Sequence, residues 1–157
     1  RPDLPFRSTA GATMIKVRPI NRNDLPLLDS VDEDWPEATT VQYWSQPAFA
    51  GMVAEDKDGI KGFILGQIVS GEAEIIQLTV INEARNQRIG SGLLDELLKN
   101  HATLGCYLDV MEGNEEAIRL YQRAGFRVTG RRQGYYRLDG ERRDALLMRL
   151  DTRETGD

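Results

Sequence analysis

Apolar and β-branched residues alternate with polar ones in short runs along most of the chain, and this pattern predicts a protein rich in strands. The expected strands are residues 14–19, 49–55, 61–69, 74–81, 106–110, 126–129, 135–138 and 145–150. Two of the intervening segments, Asp56–Gly59 and Asp139–Gly140, carry turn residues and predict hairpins.

Helical spacing interrupts the strands in three places. The clearest is 88–100, where leucine and isoleucine recur every three or four residues. A helix over 21–31 is predicted from Asn21 or Asn23 as cap and Pro26 in its first turn. A third helix begins after Asn114 and ends at Gly125. Residues 32–47 are expected to be irregular or short-helical.

The predicted order of elements is β-α-(α)-β-β-β-α-β-α-β-β, without an internal repeat. This order favours an α+β fold, a mixed-sheet sandwich that forms one domain over residues 14–150. Residues 1–13 have no periodicity and are expected to be a disordered leader, and 151–157 form a polar tail.

The amino-acid composition limits the kinds of active site and metal site that the chain can form. The 157 residues contain one cysteine, Cys106, and one histidine, His101. One cysteine is too few for an intrachain disulfide or a thiolate metal cluster. The only histidine falls at the polar end of a helical pattern, which disfavours a histidine-ligated metal site and a Ser-His-Asp triad, and we expect no metal. No apolar run reaches the ~20 residues of a membrane span, so we expect a cytoplasmic protein without a membrane partner. Carboxylates, tyrosines or backbone groups must carry any chemistry.

Charge is distributed unevenly along the chain. Residues 24–37 include six acidic residues and no basic one, whereas 117–149 include nine arginines and three acids. Opposite charges in two segments indicate separate sites for a cationic and an anionic ligand. The net charge of −5 disfavours direct binding of nucleic acid.

Two glycines, Gly90 and Gly92, stand at the start of the helix predicted over 88–100. A glycine-bearing helix entry brings main-chain N–H groups close to an anion. The spacing differs from the dinucleotide fingerprint, which needs a third glycine at the position of Asp95, and it lacks the Gly-Lys-Ser/Thr of a Walker loop.

Two motifs in sequence order give a more specific indication. The first is Gln87-x-x-Gly90-x-Gly92 after the strand residues Leu78-Thr79-Val80, and the second is Asn114-x-x-Ala117-x-x-Leu120-Tyr121-x-x-x-Gly125-Phe126. Together they resemble the GNAT superfamily of acetyl-CoA-dependent N-acetyltransferases over residues 14–150. The closing run 134–148 resembles the RimI type, which acetylates the N-terminal alanine of a ribosomal protein.

The resemblance implies a GNAT fold, with a mixed, mostly antiparallel sheet and helices on both faces, and acetyl-CoA as co-substrate. It assigns the pyrophosphate to the loop of Gln87, Arg88, Ile89, Gly90, Ser91 and Gly92, and the pantetheine arm to the main chain of Leu78, Thr79 and Val80. Asn114 is expected to cap its helix, and the resemblance implies that it also contacts the cofactor. Tyr121 shares a helix face with Asn114, and the resemblance implies that it protonates the leaving thiolate.

The general base is left open by the sequence. RimI-type enzymes have a glutamate where this chain has Asp109, and Glu112, Glu74 and ordered water are the alternatives. Arg88 replaces a glycine of the family pattern, and either contacts a phosphate or faces solvent.

Because the single cysteine sits in an apolar run, the acetyl group is expected to pass directly to the amine in a ternary complex. The expected acceptor is a protein N-terminus. The alternatives are a small polyamine or aminoglycoside acceptor and a non-catalytic acyl-CoA-binding module.

Overall fold

The structure is a computed structural model that describes residues 4–7, 14–32, 37–81, 88–101 and 103–151. Its eight strands form one sheet in the order β1-β2-β3-β4-β5-β6-β8-β7. They are β1 Leu4–Arg7, β2 Met14–Pro19, β3 Phe49–Asp56, β4 Gly59–Val69, β5 Glu72–Val80, β6 Gly105–Met111, β7 Arg127–Leu138 and β8 Glu141–Asp151. The helices are a 3₁₀ helix Arg22–Ser30, α1 Glu37–Trp44, α2 Ile89–His101 and α3 Glu115–Arg123. None of these helices is long and apolar enough to span a membrane.

The order of elements confirms the predicted mixed sheet, because β5 and β6 are parallel and the other neighbouring strands are antiparallel. The prediction of a disordered leader is wrong for residues 4–7, which pair with β2 as an edge strand. The first helix is a 3₁₀ helix. It contains Pro26, which has no N–H to donate, and Asn21 and Asp24 form a capping box at its start.

β7 is one long strand, whereas the sequence predicted two short strands separated by a polar loop. The register shifts twice, and between Arg132 and Tyr136 the strand bulges away from β8. Gly134 lies in this bulge with a φ of +60°, and its N–H donates to Asp144 Oδ1 over 2.9 Å. The bulge accommodates polar residues that suggested a loop.

Buried residues form one core on each face of the sheet. On the face that we call the α2 face, α2 and α3 pack against the strands through Leu93, Leu97 and Ile118. On the opposite face, Leu25 and Leu28 of the 3₁₀ helix pack against the strands. Helices therefore cover both faces, as the resemblance implied.

The parallel pair β5–β6 is joined over a short length only. The paired residues are Glu72 with Gly105, Ala73 with Cys106 and Glu74 with Tyr107. On its other edge, β5 stays paired with β4 as far as Val80, with a bulge at Ile76. The two strands therefore diverge beyond Glu74 and leave a V-shaped opening in the sheet, which we call the splay.

Candidate active site

The splay exposes one edge of β5 to a ligand. Leu78 and Thr79 lie beyond the last residue that pairs with β6, and both remain paired with β4. An extended chain that carries amide groups can add to such an edge as a further strand. This is the place to which the resemblance assigns the pantetheine arm, with Leu78, Thr79 and Val80 along it.

The start of α2, which follows β5 after residues 81–88, offers main-chain donors. The first bond of the helix runs from the N–H of Gly92 to the carbonyl of Arg88 over 3.0 Å, so the N–H groups of Ile89, Gly90 and Ser91 have no carbonyl within the helix to donate to. Arg88 has a φ of +64°. A left-handed residue followed by helical ones turns successive N–H groups toward one point, which suits an anion.

Of the predicted loop residues Gln87, Arg88 and Ile89, the structure describes the last two. Gln87 lies outside the described residues. Arg88 is exposed and adopts the left-handed conformation that glycine favours, which gives a physical reason for the glycine of the family pattern. The Ile89 side chain is buried in the core, so only its main chain can face an anion.

Gly90 has a packing role that the sequence did not reveal. A Cβ atom at this position would lie 2.5 Å from Leu120 Cδ1, and Leu120 belongs to α3. Gly90 therefore allows α2 and α3 to approach each other closely, with its N–H left at the helix start.

Tyr121 lies on α3 within the core of the α2 face, where its ring packs at 5.4 Å between centroids against Phe126. Burial raises the pKa of Tyr121, and the neighbouring Cys106 and Tyr136 raise it further. The hydroxyl is therefore protonated at neutral pH. Asn114 caps the same helix by accepting from the N–H of Ala117 over 3.3 Å.

Cys106 is fully buried, and burial raises the pKa of its thiol to about 12. Because the thiolate is the nucleophilic form, this cysteine is unreactive at neutral pH.

Two carboxylates lie on the opposite face of the sheet beside the splay. Along β6, Cys106, Leu108 and Val110 belong to the core of the α2 face, so Tyr107 and Asp109 point to the other side. Glu74 is the neighbour of Tyr107 on β5. Burial raises the pKa of Glu74, the charge of Asp109 raises it further, and Arg132 partly offsets both effects. The structure thus brings Glu74 and Asp109 together.

Glu112, the other reserve candidate, is engaged elsewhere. It is about half exposed and forms an ion pair of 2.7 Å with Arg131, which also contacts Asp144. This pairing ties the segment after β6 to the hairpin of β7 and β8.

Tyr136 and Arg132 are further candidate residues, which the sequence did not single out. Burial raises the pKa of Tyr136, and the charge of Asp109 raises it further, whereas Arg132 lowers it. The charge of Tyr136 in turn raises the pKa of Tyr121. Arg132 lies over the ring of Tyr135, 5.2 Å from its centroid. The adjacent Tyr135 and Tyr136 in the closing run 134–148 were the sequence signal that could have indicated these residues.

The mixed sheet, its splay and the glycine-bearing entry to α2 define an acetyltransferase of the GNAT class. The chain matches the acetyltransferase (GNAT) family over residues 16–126 and belongs to it.

Individual relatives agree with this assignment. The chain is 32% identical over 125 residues to the N-alpha-acetyltransferase RimI of Mycobacterium tuberculosis. This match covers 77% of this chain and 78% of the relative. It is 29% identical over 118 residues to the ribosomal protein bS18-alanine N-acetyltransferase of Escherichia coli, and this match covers 68% of this chain and 80% of the relative. The crystal structure of the ribosomal-protein-S18-alanine N-acetyltransferase from Escherichia coli matches with a TM-score of 0.84 at 24% identity, over 92% of this chain and 97% of that one.

The predicted family and fold are therefore confirmed. The protein is an acetyl-CoA-dependent N-acetyltransferase.

Proposed function

We propose that the protein transfers the acetyl group of acetyl-CoA to the α-amine of a protein N-terminus. The observation that carries this proposal is the splay in the sheet, with Tyr121 in the core of one face and the carboxylates of Glu74 and Asp109 on the opposite face. The relatives named for N-terminal and ribosomal-protein acetylation support the choice of acceptor. A ribosomal acceptor would place the enzyme in the cytoplasm.

The donor is proposed to bind along β5 and at the start of α2. The amides of pantetheine would add to the edge of β5 at Leu78, Thr79 and Val80. The pyrophosphate would accept from the main chain of the loop before α2, where the helix dipole favours negative charge. Gln87, Arg88, Gly92 and Asn114 complete the proposed donor site.

The acceptor is proposed to enter from the face that carries the carboxylates. An N-terminal ammonium ion is attracted by the negative charge of Glu74 and Asp109 and must lose a proton before it can attack. We propose that these two carboxylates act as a unit that takes this proton through water. Burial and the charge of Asp109 both raise the pKa of Glu74, which makes its carboxylate a better proton acceptor.

Bond formation follows from this arrangement. The neutral amine attacks the thioester carbonyl carbon, the carbon–sulfur bond of the resulting intermediate breaks, and the electron pair stays on sulfur. The Tyr121 hydroxyl is proposed to donate its proton to this thiolate. The nitrogen, which carries one proton more than the amide product, releases that proton through water, and the tyrosinate is reprotonated from it. Transfer is direct, since the buried Cys106 thiol, with a pKa of about 12, supplies no thiolate for an acyl-enzyme.

A panel of amines tests the proposal by the initial rate of thiol release from acetyl-CoA. The panel contains an alanine-initiated peptide with one internal lysine, the same peptide with a blocked N-terminus, spermidine and an aminoglycoside. The proposal predicts that the free α-amine peptide has the highest kcat/KM and that blocking abolishes its turnover. Faster turnover of spermidine or the aminoglycoside would support a small-molecule acceptor, and no turnover with any amine would support an acyl-CoA-binding module.

A further inference from the structure

Two hydrogen bonds join Asp32, which follows the 3₁₀ helix, to β5, and a third links the two β5 side chains that make them. The Thr79 hydroxyl donates to Asp32 Oδ2 over 2.8 Å, and Gln77 Nε2 donates to the same oxygen over 2.9 Å. Gln77 Nε2 also lies 2.9 Å from Thr79 Oγ1, to which it donates. We call this set of Asp32, Gln77 and Thr79 the Asp32 clamp. Bonds to an ionised carboxylate are stronger than those between neutral groups.

The clamp lies at the splayed half of β5. Gln77 and Thr79 follow the bulge at Ile76 and flank Leu78, which packs on the α2 face. Their side chains therefore point to the opposite face, on which the acceptor is proposed to enter. Asp32 comes directly before residues 33–36, in the acidic segment that the sequence associates with a cationic ligand.

The other end of the 3₁₀ helix is also fixed to the sheet. Arg18 on β2 donates to both carboxylate oxygens of Asp24, each over 2.8 Å, and to Glu55 on β3 over 2.8 Å. Asp24 is buried, and although burial opposes its ionisation, the hydrogen bonds from Arg18 and from the Asn21 N–H lower its pKa. The helix is therefore held at its start by an ion pair and at its end by the Asp32 clamp.

We infer that Asp32 is a positioning residue for the acceptor, an inference that rests on the proposed function. Through Thr79 and Gln77 it fixes the acceptor side of the site to the strand whose main chain receives the donor. Attack requires the amine and the thioester within about 3–3.5 Å of each other, so a clamp between the two sides sets the geometry in which they meet. Asp32 then acts through hydrogen bonds and not through long-range attraction of a cation.

Thr79→Val tests the clamp without changing any charge. Valine keeps the β-branched shape that suits a strand and removes the hydroxyl donor. We expect the acceptor KM to rise about tenfold, equivalent to about 1.4 kcal/mol, with the acetyl-CoA KM changed less than twofold. Thr79→Ser restores the hydroxyl and should return the acceptor KM to within twofold of the parent. Gln77→Leu, which removes the other donor, should act in the same direction as Thr79→Val.

Salt dependence and a double-mutant cycle separate positioning from attraction. The acceptor KM of Thr79→Val should stay raised to the same degree at high salt, because no charge has changed. Asp32→Ala should raise the acceptor KM, and adding Thr79→Val to it should have little further effect. Parent-like kinetics in Thr79→Val, additive effects in the double variant, or a defect that disappears at high salt would each overturn the inference.

A folding control and the choice of acceptor amine complete the design of these kinetic experiments. Circular dichroism and thermal unfolding show that each variant is folded before its kinetics are compared. The assays use the amine that gives the highest kcat/KM in the panel. If that amine is not an N-terminal peptide, the proposed acceptor is rejected, and the clamp is still tested on the amine that the enzyme accepts.

Discussion

Replacing Gly90 with alanine would place a methyl group between the two helices beside the proposed donor site. The new Cβ atom would lie 2.5 Å from Leu120 Cδ1, whereas carbon atoms in contact are usually about 3.5–4.0 Å apart. Leu120 is packed against the core of the α2 face, so its side chain must leave part of that contact to make room.

The expected loss of stability follows from two opposing effects. Overpacking of a core typically costs about 1–3 kcal/mol. Alanine has a higher helix propensity than glycine by up to about 1 kcal/mol, which offsets part of this loss. We therefore expect the free energy of unfolding to fall by about 1 kcal/mol and Tm by about 2–4 °C, as is usual for a domain of this size.

Thermal unfolding and calorimetric titration with coenzyme A test this reasoning together. Because the new methyl group points to Leu120 and the main-chain donors remain, we expect the affinity for coenzyme A to stay within about threefold, a change of less than about 0.7 kcal/mol. Leu120→Val removes the atom in conflict, and the double variant should be more stable than Gly90→Ala alone. Full stability of Gly90→Ala, or a large loss of affinity without a loss of stability, would refute the packing role.

The remaining predictions concern the chemistry. Tyr121→Phe keeps the buried ring and removes the proposed proton donor, so kcat should fall by about 10²–10⁴ with little change in the affinity for acetyl-CoA. Asp109→Asn removes a negative charge that raises the pKa of Glu74, so the acid limb of the kcat/KM profile should move to lower pH, whereas Glu74→Gln should lose most activity. Iodoacetamide at pH ~8 should leave activity unchanged, because Cys106 is fully buried and its thiol has a pKa of about 12.

Each of these predictions has a result that contradicts it. A Tyr121→Phe enzyme within about threefold of the parent kcat would show that the hydroxyl is not the general acid. An acid limb that stays in place or moves to higher pH in Asp109→Asn would separate Asp109 from Glu74. Inactivation by iodoacetamide that acetyl-CoA prevents would point to a reactive cysteine at the site.

The sequence predicted the main elements of the fold because local signals agreed with one another. Residues 89–101 combine helical spacing with a glycine-bearing entry, and Asn114 and Gly125 bound the next helix as expected. It did not predict β1, whose position depends on pairing with β2. The polar residues of β7 also suggested a loop, since bulges that accommodate such residues are set by the partner strand.

For the candidate site, the sequence identified residues but not their spatial relations. Motif spacing indicated Tyr121 and the loop before α2. Which of the acidic residues lie together depends on the register between β5 and β6, so the proximity of Glu74 to Asp109 emerged only in three dimensions. The hydrogen bond from Thr79 to Asp32 joins residues 47 positions apart, beyond the reach of any local pattern.

The position of the acetyl group in the product tests the central claim most directly. An alanine-initiated peptide with one internal lysine offers both amines at equal concentration, and tandem mass spectrometry of the product locates the modification. We predict acetylation of the α-amine alone, and loss of that product in the Tyr121→Phe enzyme. Acetylation of the lysine side chain in preference to the α-amine would contradict the account.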